Sequence, residues 1–213
     1  MKRADHQLET DFEQLPGRNS QRDRIIAAAR KHFFTRGLRG VTMDELAEEL
    51  GMSKKTLYVH FPGKAALVKG MLLQKFREVE TDLEVIEQNK TLGFHEVLHE
   101  LMATLHRHTA EVQPPFIHDI QRESPEIFQF IESRRRVTFR RHFGRLLAWG
   151  RRSGVVRKDI PLKLIMEIFL GAMQSVANPP KLIELGITPK ACISAIITVI
   201  LEGVVTGEGR SKP

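Results

Sequence analysis

Apolar residues recur along most of the chain at the spacing of an α-helix, every three or four positions. No run of alternating apolar and polar residues is long enough to predict a β-sheet. The clearest interruptions of the helical pattern are Pro114-Pro115, Pro161 and Pro179-Pro180. The pattern therefore predicts an all-α protein of about nine helices, in which three N-terminal helices precede a larger helical domain.

The segment from Thr42 to Lys64 is predicted to contain two short helices with recognisable ends. Thr42 and Glu45 have the spacing of a capping box, in which each side chain satisfies a free backbone N–H of the other residue. Gly51 ends the first helix, because glycine takes the left-handed conformation that often follows a helix end without a Cβ clash. The apolar face of this helix is formed by Met43, Leu46, Ala47 and Leu50.

The second short helix begins after Ser53, whose hydroxyl can cap it, and stops before Pro62. Leu57 and Phe61 lie four residues apart and are predicted to pack on the first helix, which turns Lys55 and Val59 outward. A helix-turn-helix with lysines at a helix N-terminus suits phosphate oxygens, so we expect this face to bind DNA. The alternative is an ordinary helical hairpin with a solvated lysine pair. The residues left to contact base edges or the sugar-phosphate backbone are Thr56, Tyr58, Val59 and His60.

The charge distribution agrees with a polyanionic partner, although it is weak evidence alone. The chain of 213 residues has a formal net charge of +7. Its first 70 residues contain 13 lysines and arginines against 9 acidic residues, so a net charge of +4 lies in the third that carries the helix-turn-helix.

These features together resemble the DNA-binding domain of the TetR family, one-component bacterial transcriptional regulators that are mostly repressors. The resemblance covers about a third of the chain and rests on residues 25–34, Gly37, Val41-Thr42-Met43, Leu46-Ala47 and the segment Leu-Tyr-Val-His-Phe-Pro-Gly-Lys at 57–64. It implies that Thr42, Ser53, Tyr58 and Lys64 hold phosphates. It also implies that Lys54, Lys55, Thr56 and His60 lie in or beside the major groove. Many members carry glycine where this chain has Lys55, so base preference cannot be transferred from relatives.

The pattern and the resemblance divide the chain into four parts. Residues 1–19 are expected to be a disordered lead-in, and residues 208–213 a disordered tail. Residues 20–66 form the DNA-binding domain, and residues 67–207 an effector-binding and dimerisation domain. The longer helices are predicted over Gly63 to Ile86, Ser124 to Arg152, Pro161 to Ala177 and Pro189 to Val205.

The last two of these helices are apolar on more than one face, which favours a four-helix interface between two copies of the chain. The alternative is that both faces pack inside one monomer. The resemblance implies the homodimer, and two recognition helices about 34 Å apart would read a palindromic operator in double-stranded DNA. The expected interface residues are Ile165, Phe169, Met173, Ile196 and Ile200.

The resemblance also implies an effector pocket and a repressor that an unknown small molecule releases from DNA. The candidate lining residues are Met102, Leu105, Phe116, His118, Phe139, Phe143 and Gln174. Two alternatives of the same fold are an activator and a metal-responsive regulator, since His95 and His99 have a spacing that can hold a metal. We expect no metal and no cofactor, because the histidines lack a cysteine or aspartate to complete a metal shell. Arg134, Arg141, Arg145 and Arg152 project to one side of a helix, where acidic neighbours or an anionic partner would meet them.

Other classes of protein find little support. The sequence has no P-loop, nucleotide-binding glycine motif, Gly-x-Ser-x-Gly or His-Glu-x-x-His, so we do not expect an enzyme. The single cysteine, Cys192, excludes an intrachain disulfide and is expected to be buried. The charged segment Met1 to Asn19 is not a signal peptide, and the apolar segment Ala191 to Leu201 is too short to cross a membrane. We therefore expect a cytoplasmic protein.

Overall fold

The computed structural model of the protein describes residues 21–204, which contain ten helices and no strand. The expected lead-in (1–19) and tail (208–213) lie outside the described residues. The helices are α1 (Gln21–Arg36), α2 (Met43–Glu49), α3 (Lys54–His60), α4 (Lys64–Gln88), α5 (Phe94–Ala110), α6 (Pro114–Glu123), α7 (Pro125–Arg152), α8 (Leu162–Val176), α9 (Pro179–Leu185) and α10 (Pro189–Val204). The all-α prediction is confirmed for this part of the chain.

The described residues form two compact units. Unit 1 contains residues 21–80 and 107–132, and unit 2 contains residues 81–106 and 133–204. Unit 1 thus includes α6, which the sequence analysis did not identify as a helix. The domain boundary that we expect between residues 66 and 67 remains a prediction. The two compact units divide the chain at other positions.

The core of unit 1 is built from the apolar faces of the first helices and of α6. Helix α1 buries Ile25, Ile26, Ala29 and Phe33. Leu46 of α2 and Leu57 of α3 are fully buried. Phe116 of α6 packs edge-on against Phe34, with 5.1 Å between ring centroids. The amide of Gln113 donates to the carbonyl of Phe34 at 3.0 Å, which fixes the start of α6 against α1.

Gly37 is where α1 ends and where α6 comes closest to it. Its φ of +76° lies in the left-handed region that favours glycine, and a Cβ atom there would lie 2.5 Å from Asp119 Oδ2. That carboxylate oxygen accepts a hydrogen bond from the amide of Arg39 at 3.0 Å. The position therefore needs glycine for two reasons, backbone conformation and space.

The core of unit 2 contains a stack of three aromatic rings. Phe139 lies between Phe143 and Phe169, with centroid distances of 3.9 and 4.0 Å and nearly parallel planes. Gly150 of α7 lets Phe94 approach, since a Cβ atom there would lie 2.5 Å from the ring. These contacts bring α5, α7 and α8 together within the unit.

Ion pairs occupy part of the arginine-rich side of α7. Arg141 donates to Glu84 at 2.8 Å and Arg145 donates to Glu87 at 2.9 Å. Arg134, which the sequence places on the same side of this helix, is buried. Acidic neighbours therefore meet Arg141 and Arg145 within unit 2.

Two further observations concern the apolar C-terminal helices. No helix within residues 21–204 is both long and apolar enough to span a bilayer. Cys192 is 1% exposed, as expected, and its burial raises the pKa of the thiol.

Candidate nucleic-acid interface

Local hydrogen bonds fix both the start of α2 and the turn between α2 and α3. The capping box is present, because Thr42 Oγ1 accepts from the amide of Glu45 at 3.1 Å and Glu45 Oε2 accepts from the amide of Thr42 at 2.7 Å. The bond from the Thr42 amide is the main reason that the pKa of the Glu45 carboxyl is lowered. Gly51 has a φ of +62°, and the amide of Met52 donates to the carbonyl of Ala47 at 3.0 Å. These bonds hold the direction in which α3 leaves the turn.

Helix α3 has one buried face and one exposed face. Ser53 caps it, since its hydroxyl accepts from the amide of Thr56 at 3.0 Å. Leu57 is fully buried, whereas Val59 is 76% exposed and Tyr58 is 46% exposed. Lys54 and Lys55 are also exposed. The face that the sequence analysis selected for DNA is therefore open to a large partner.

An ion pair joins the two helices of the motif at their N-terminal ends. Lys54 Nζ lies 2.6 Å from Asp44 Oδ2, and both side chains are more than half exposed. No local sequence pattern reveals this pair, because the residues are ten positions apart and lie on different helices. Asp44 neutralises one of the two lysines at the start of α3.

The C-terminal end of α3 is held by the start of α1. Arg22 Nη1 donates to the carbonyl of His60 at 3.0 Å, and its guanidinium lies 4.3 Å from the centroid of the Phe61 ring. His60 Nε2 lies 3.3 Å from Gln21 Oε1. A cation that binds the last carbonyl of a helix also complements the helix dipole. Arg22 is therefore a supporting residue of α3 that the sequence pattern did not reveal.

Lys64, the last predicted phosphate ligand, begins α4. Its Nζ lies 5.8 Å from the centroid of Phe33, and partial burial lowers the pKa of its ammonium group. Within unit 1, the structure places all nine predicted DNA contacts on one short stretch: the cap of α2, the cap and body of α3, and the start of α4.

The predicted effector residues belong to both units, and their exposure differs. Phe116 is buried in the core of unit 1, and the side chain of His118 is 69% exposed. Within unit 2, Phe139 and Phe143 belong to the aromatic stack, in which Phe143 is buried and Phe139 is half-buried. Gln174 is exposed and accepts a hydrogen bond from Arg136 at 2.9 Å. Met102 and Leu105 are half-buried on α5.

Two of the five predicted dimer residues are buried inside unit 2, and the other three are half-buried. Ile165 and Phe169 are 2% and 6% exposed, because this face of α8 packs inside unit 2. Met173, Ile196 and Ile200 are half-buried. The apolar residues that point outward on these helices are Leu164 and Ile168 of α8 and Val199 of α10, with exposures of 51%, 53% and 71%.

The histidines of the metal alternative lie on the surface of unit 2. His95, His99, Glu96 and Glu100 line an open groove of about 320 Å³, and His99 Nδ1 lies 3.7 Å from Glu100 Oε1. In the part of the chain that the structure describes, no group of three or more histidine, cysteine or acidic side chains is placed to hold a metal ion.

Comparisons with known proteins agree with this geometry. Residues 25–71 match the family model described as bacterial regulatory proteins, tetR family. The uncharacterized HTH-type transcriptional regulator YerO of Bacillus subtilis (strain 168) is 35% identical over 72 residues, which are 30% of this chain and 25% of YerO. In that match the chain spans only a quarter of the relative's length.

Solved structures extend the likeness to the whole fold. A transcriptional regulator from Cytophaga hutchinsonii ATCC 33406 superposes with a TM-score of 0.68 at 17% identity, covering 86% of this chain and 98% of that one. The flavonoid-responsive regulator FrrA superposes with a TM-score of 0.57 at 23% identity, covering 87% and 97%. At these identities the likeness concerns the fold alone. The relatives named here are transcriptional regulators, not enzymes.

Proposed function

We propose that this chain, which belongs to the TetR family of bacterial regulatory proteins, represses transcription by binding a palindromic operator as a homodimer, and that a small molecule releases it. The observation that carries the proposal is α3, a capped helix whose lysines and whose residues Tyr58 and Val59 face outward while Leu57 holds it to the core. Such a helix has the size and charge to enter a major groove.

The exposed residues divide into two roles. Thr42, Ser53, Tyr58 and Lys64 lie around the ends of α2, α3 and α4, and would bind phosphate oxygens and fix the register of the protein on the duplex. The residues toward the base edges would be Lys54, Lys55, Thr56, Val59 and His60, with Val59 suited to a thymine methyl group. The structure supports this division because these side chains surround one exposed helix.

The homodimer is supported by the outward apolar residues of α8 and α10. Leu164, Ile168 and Val199 expose apolar surface that water solvates poorly, and a second copy would bury it around a twofold axis. Two α3 helices would then read successive major grooves of an inverted repeat. Half-buried Met173, Ile196 and Ile200 stay in the proposed interface, whereas Ile165 and Phe169 are buried inside unit 2.

Release by an effector is supported by the fold, since FrrA is named as flavonoid-responsive. A ligand changes operator affinity only if it binds the DNA-competent and DNA-free conformations unequally. We place the effector site among the helices of unit 2. The protein would act on chromosomal operators in the cytoplasm.

The test is selection of random duplexes with the purified full-length chain, followed by measurement of its mass in solution. The proposal expects an inverted repeat and a dimer. A monomer that binds selected and scrambled duplexes equally at about 0.15 M salt would contradict it. A promoter carrying the selected repeat ahead of a reporter gene then separates the repressor from the activator, because the proposal expects lower expression when the protein is present.

A further inference from the structure

The proposed function places five residues of α3 toward the base edges, and their side chains differ in the bonds that they already make. The five are Lys54, Lys55, Thr56, Val59 and His60. A side chain that reads a base must present a donor, an acceptor or apolar surface to the groove. A partner within the protein reduces what the side chain can offer. The bonds seen in unit 1 therefore rank these residues.

Three of the five already have partners. Lys54 Nζ lies 2.6 Å from Asp44 Oδ2, and Thr56 Oγ1 lies 2.8 Å from the hydroxyl that caps α3. His60 Nε2 lies 3.3 Å from Gln21 Oε1. Each of these side chains would have to share or break a bond in order to contact a base, and that cost reduces the selectivity it can contribute.

Lys55 and Val59 have no such cost. Val59 is 76% exposed, Lys55 is also exposed, and no hydrogen bond or ion pair of Lys55 is seen among the residues that the structure describes. The two residues are four positions apart, so they lie on one face of α3, opposite buried Leu57. The centre of the exposed face therefore presents one ammonium group and one branched apolar side chain.

The chemistry of these two groups selects different bases. An ammonium group donates hydrogen bonds and accepts none, so it favours a base whose acceptors have no donor beside them. In the major groove that base is guanine, which offers O6 and N7 together, whereas adenine places a donor beside N7. A valine side chain makes no hydrogen bonds, and the apolar group that the major groove offers is the methyl of thymine.

We propose that Lys55 and Val59 determine the sequence preference of the protein, Lys55 by donating to O6 and N7 of a guanine and Val59 by packing on the methyl group of a thymine. The two residues are about 6 Å apart along the helix axis. Base pairs are stacked about 3.4 Å apart, so the guanine and the thymine lie about one or two base pairs apart in each half-site, on either strand. This inference rests on the proposed function, because it requires α3 to enter the major groove.

Base analogues in the repeat selected by the full-length chain test the two contacts. Each guanine of one half-site is replaced in turn by 7-deazaguanine, which lacks the N7 acceptor, and each thymine by uracil, which lacks the methyl group. Fluorescence anisotropy at constant salt gives the affinity for each duplex. We expect 7-deazaguanine at one position to weaken binding about fivefold, and uracil at one position about fourfold.

The variants Lys55→Met and Val59→Ala assign each loss to a residue. Both positions are exposed, so neither substitution disturbs the core. Lys55→Met should be insensitive to 7-deazaguanine and keep the loss caused by uracil. Val59→Ala should keep the loss caused by 7-deazaguanine and lose less than about twofold with uracil. Lys54→Met is the matched control, because it removes the same charge one residue earlier and should keep both losses.

The outcomes distinguish this inference from the proposed function. A selected inverted repeat on which Lys55→Met, Val59→Ala and the parent chain all suffer the same losses would overturn the inference alone. A half-site whose guanine and thymine are more than about three base pairs apart would do so too. If the full-length chain selected no sequence, the inference and the proposed function would both be wrong.

Discussion

Asp44 and Lys54 bind each other across the helix-turn-helix, with 2.6 Å between Oδ2 and Nζ. The pair places a carboxylate beside a lysine that we propose contacts DNA. DNA phosphates must therefore compete with Asp44 for this ammonium group, and the competition can be measured.

Replacing Asp44 by asparagine should strengthen DNA binding. The variant frees Lys54 for phosphate, and because exposed ion pairs contribute at most about 1 kcal/mol, we expect affinity to rise up to about fivefold. The slope of log affinity against log salt should also become steeper by up to about 0.9, one further phosphate contact. Fluorescence anisotropy with a selected duplex at several salt concentrations measures both. Glu48→Gln is the control, since it changes the charge of α2 by the same amount at an exposed residue. Identical effects of the two variants would contradict the role of the pair.

Substitutions on α3 should separate positioning from base recognition. Tyr58→Ala and Lys64→Ala should weaken binding to every duplex, because they remove phosphate contacts. Lys64→Ala should also flatten the salt dependence, because it removes a cation that displaces counterions from the DNA. Lys55→Ala should instead change the preferred bases, with about 1–3 kcal/mol lost at one or two positions of the selected repeat. A panel of single-base variants of the repeat provides the measurement. Uniform losses for all three proteins would argue against the assignment.

An aspartate at Ile168 should disrupt the proposed homodimer. It would place an unpaired charge in the apolar patch formed by Leu164, Ile168 and Val199, so we expect the dimer dissociation constant to rise at least about tenfold. Sedimentation velocity over a range of concentrations would show the shift to monomer. Val85→Asp introduces the same charge at another exposed apolar residue and serves as the comparison. If Ile168→Asp remained as dimeric as Val85→Asp, the interface would have to lie elsewhere.

Alanine at Gly37 should destabilise the protein more than alanine at Gly51. Both positions have positive φ, which costs an L-residue about 1–2 kcal/mol. Only Gly37 has a neighbour in the way, Asp119 Oδ2, and moving that oxygen endangers its bond to the amide of Arg39, worth about 1.5–3 kcal/mol. Urea unfolding of the two variants measures the difference in unfolding free energy. Equal losses would mean that the carboxylate moves away freely.

The sequence predicts those parts of the site that depend on interactions between residues close together in the chain. The capping box of Thr42, the turn at Gly51 and the cap at Ser53 involve residues at most a few positions apart, so their spacing alone indicates them. The bond from Arg22 to His60 joins residues 38 positions apart, and no local pattern reveals it. For the same reason the ion pair of Asp44 was missed.

Two features of the later helices are not indicated by the helical pattern alone. A break precedes Pro114, as predicted, but proline also fits the first turn of a helix, and α6 begins there. Helix α8 is apolar on several faces, so its sequence could not indicate which face packs internally. In the structure, Ile165 is buried and Ile168 is exposed.

The burial of Cys192 makes the chain convenient for site-directed labelling. It is the single cysteine of the sequence, it is almost inaccessible, and its raised pKa keeps it a thiol at neutral pH, where thiolate-selective maleimides react slowly with it. A cysteine introduced at exposed Glu48 of α2, which is not among the proposed DNA contacts, would therefore carry a spin label almost alone. Pulsed electron resonance between two such labels would report the separation of the two helix-turn-helix motifs of the proposed dimer, with and without bound duplex.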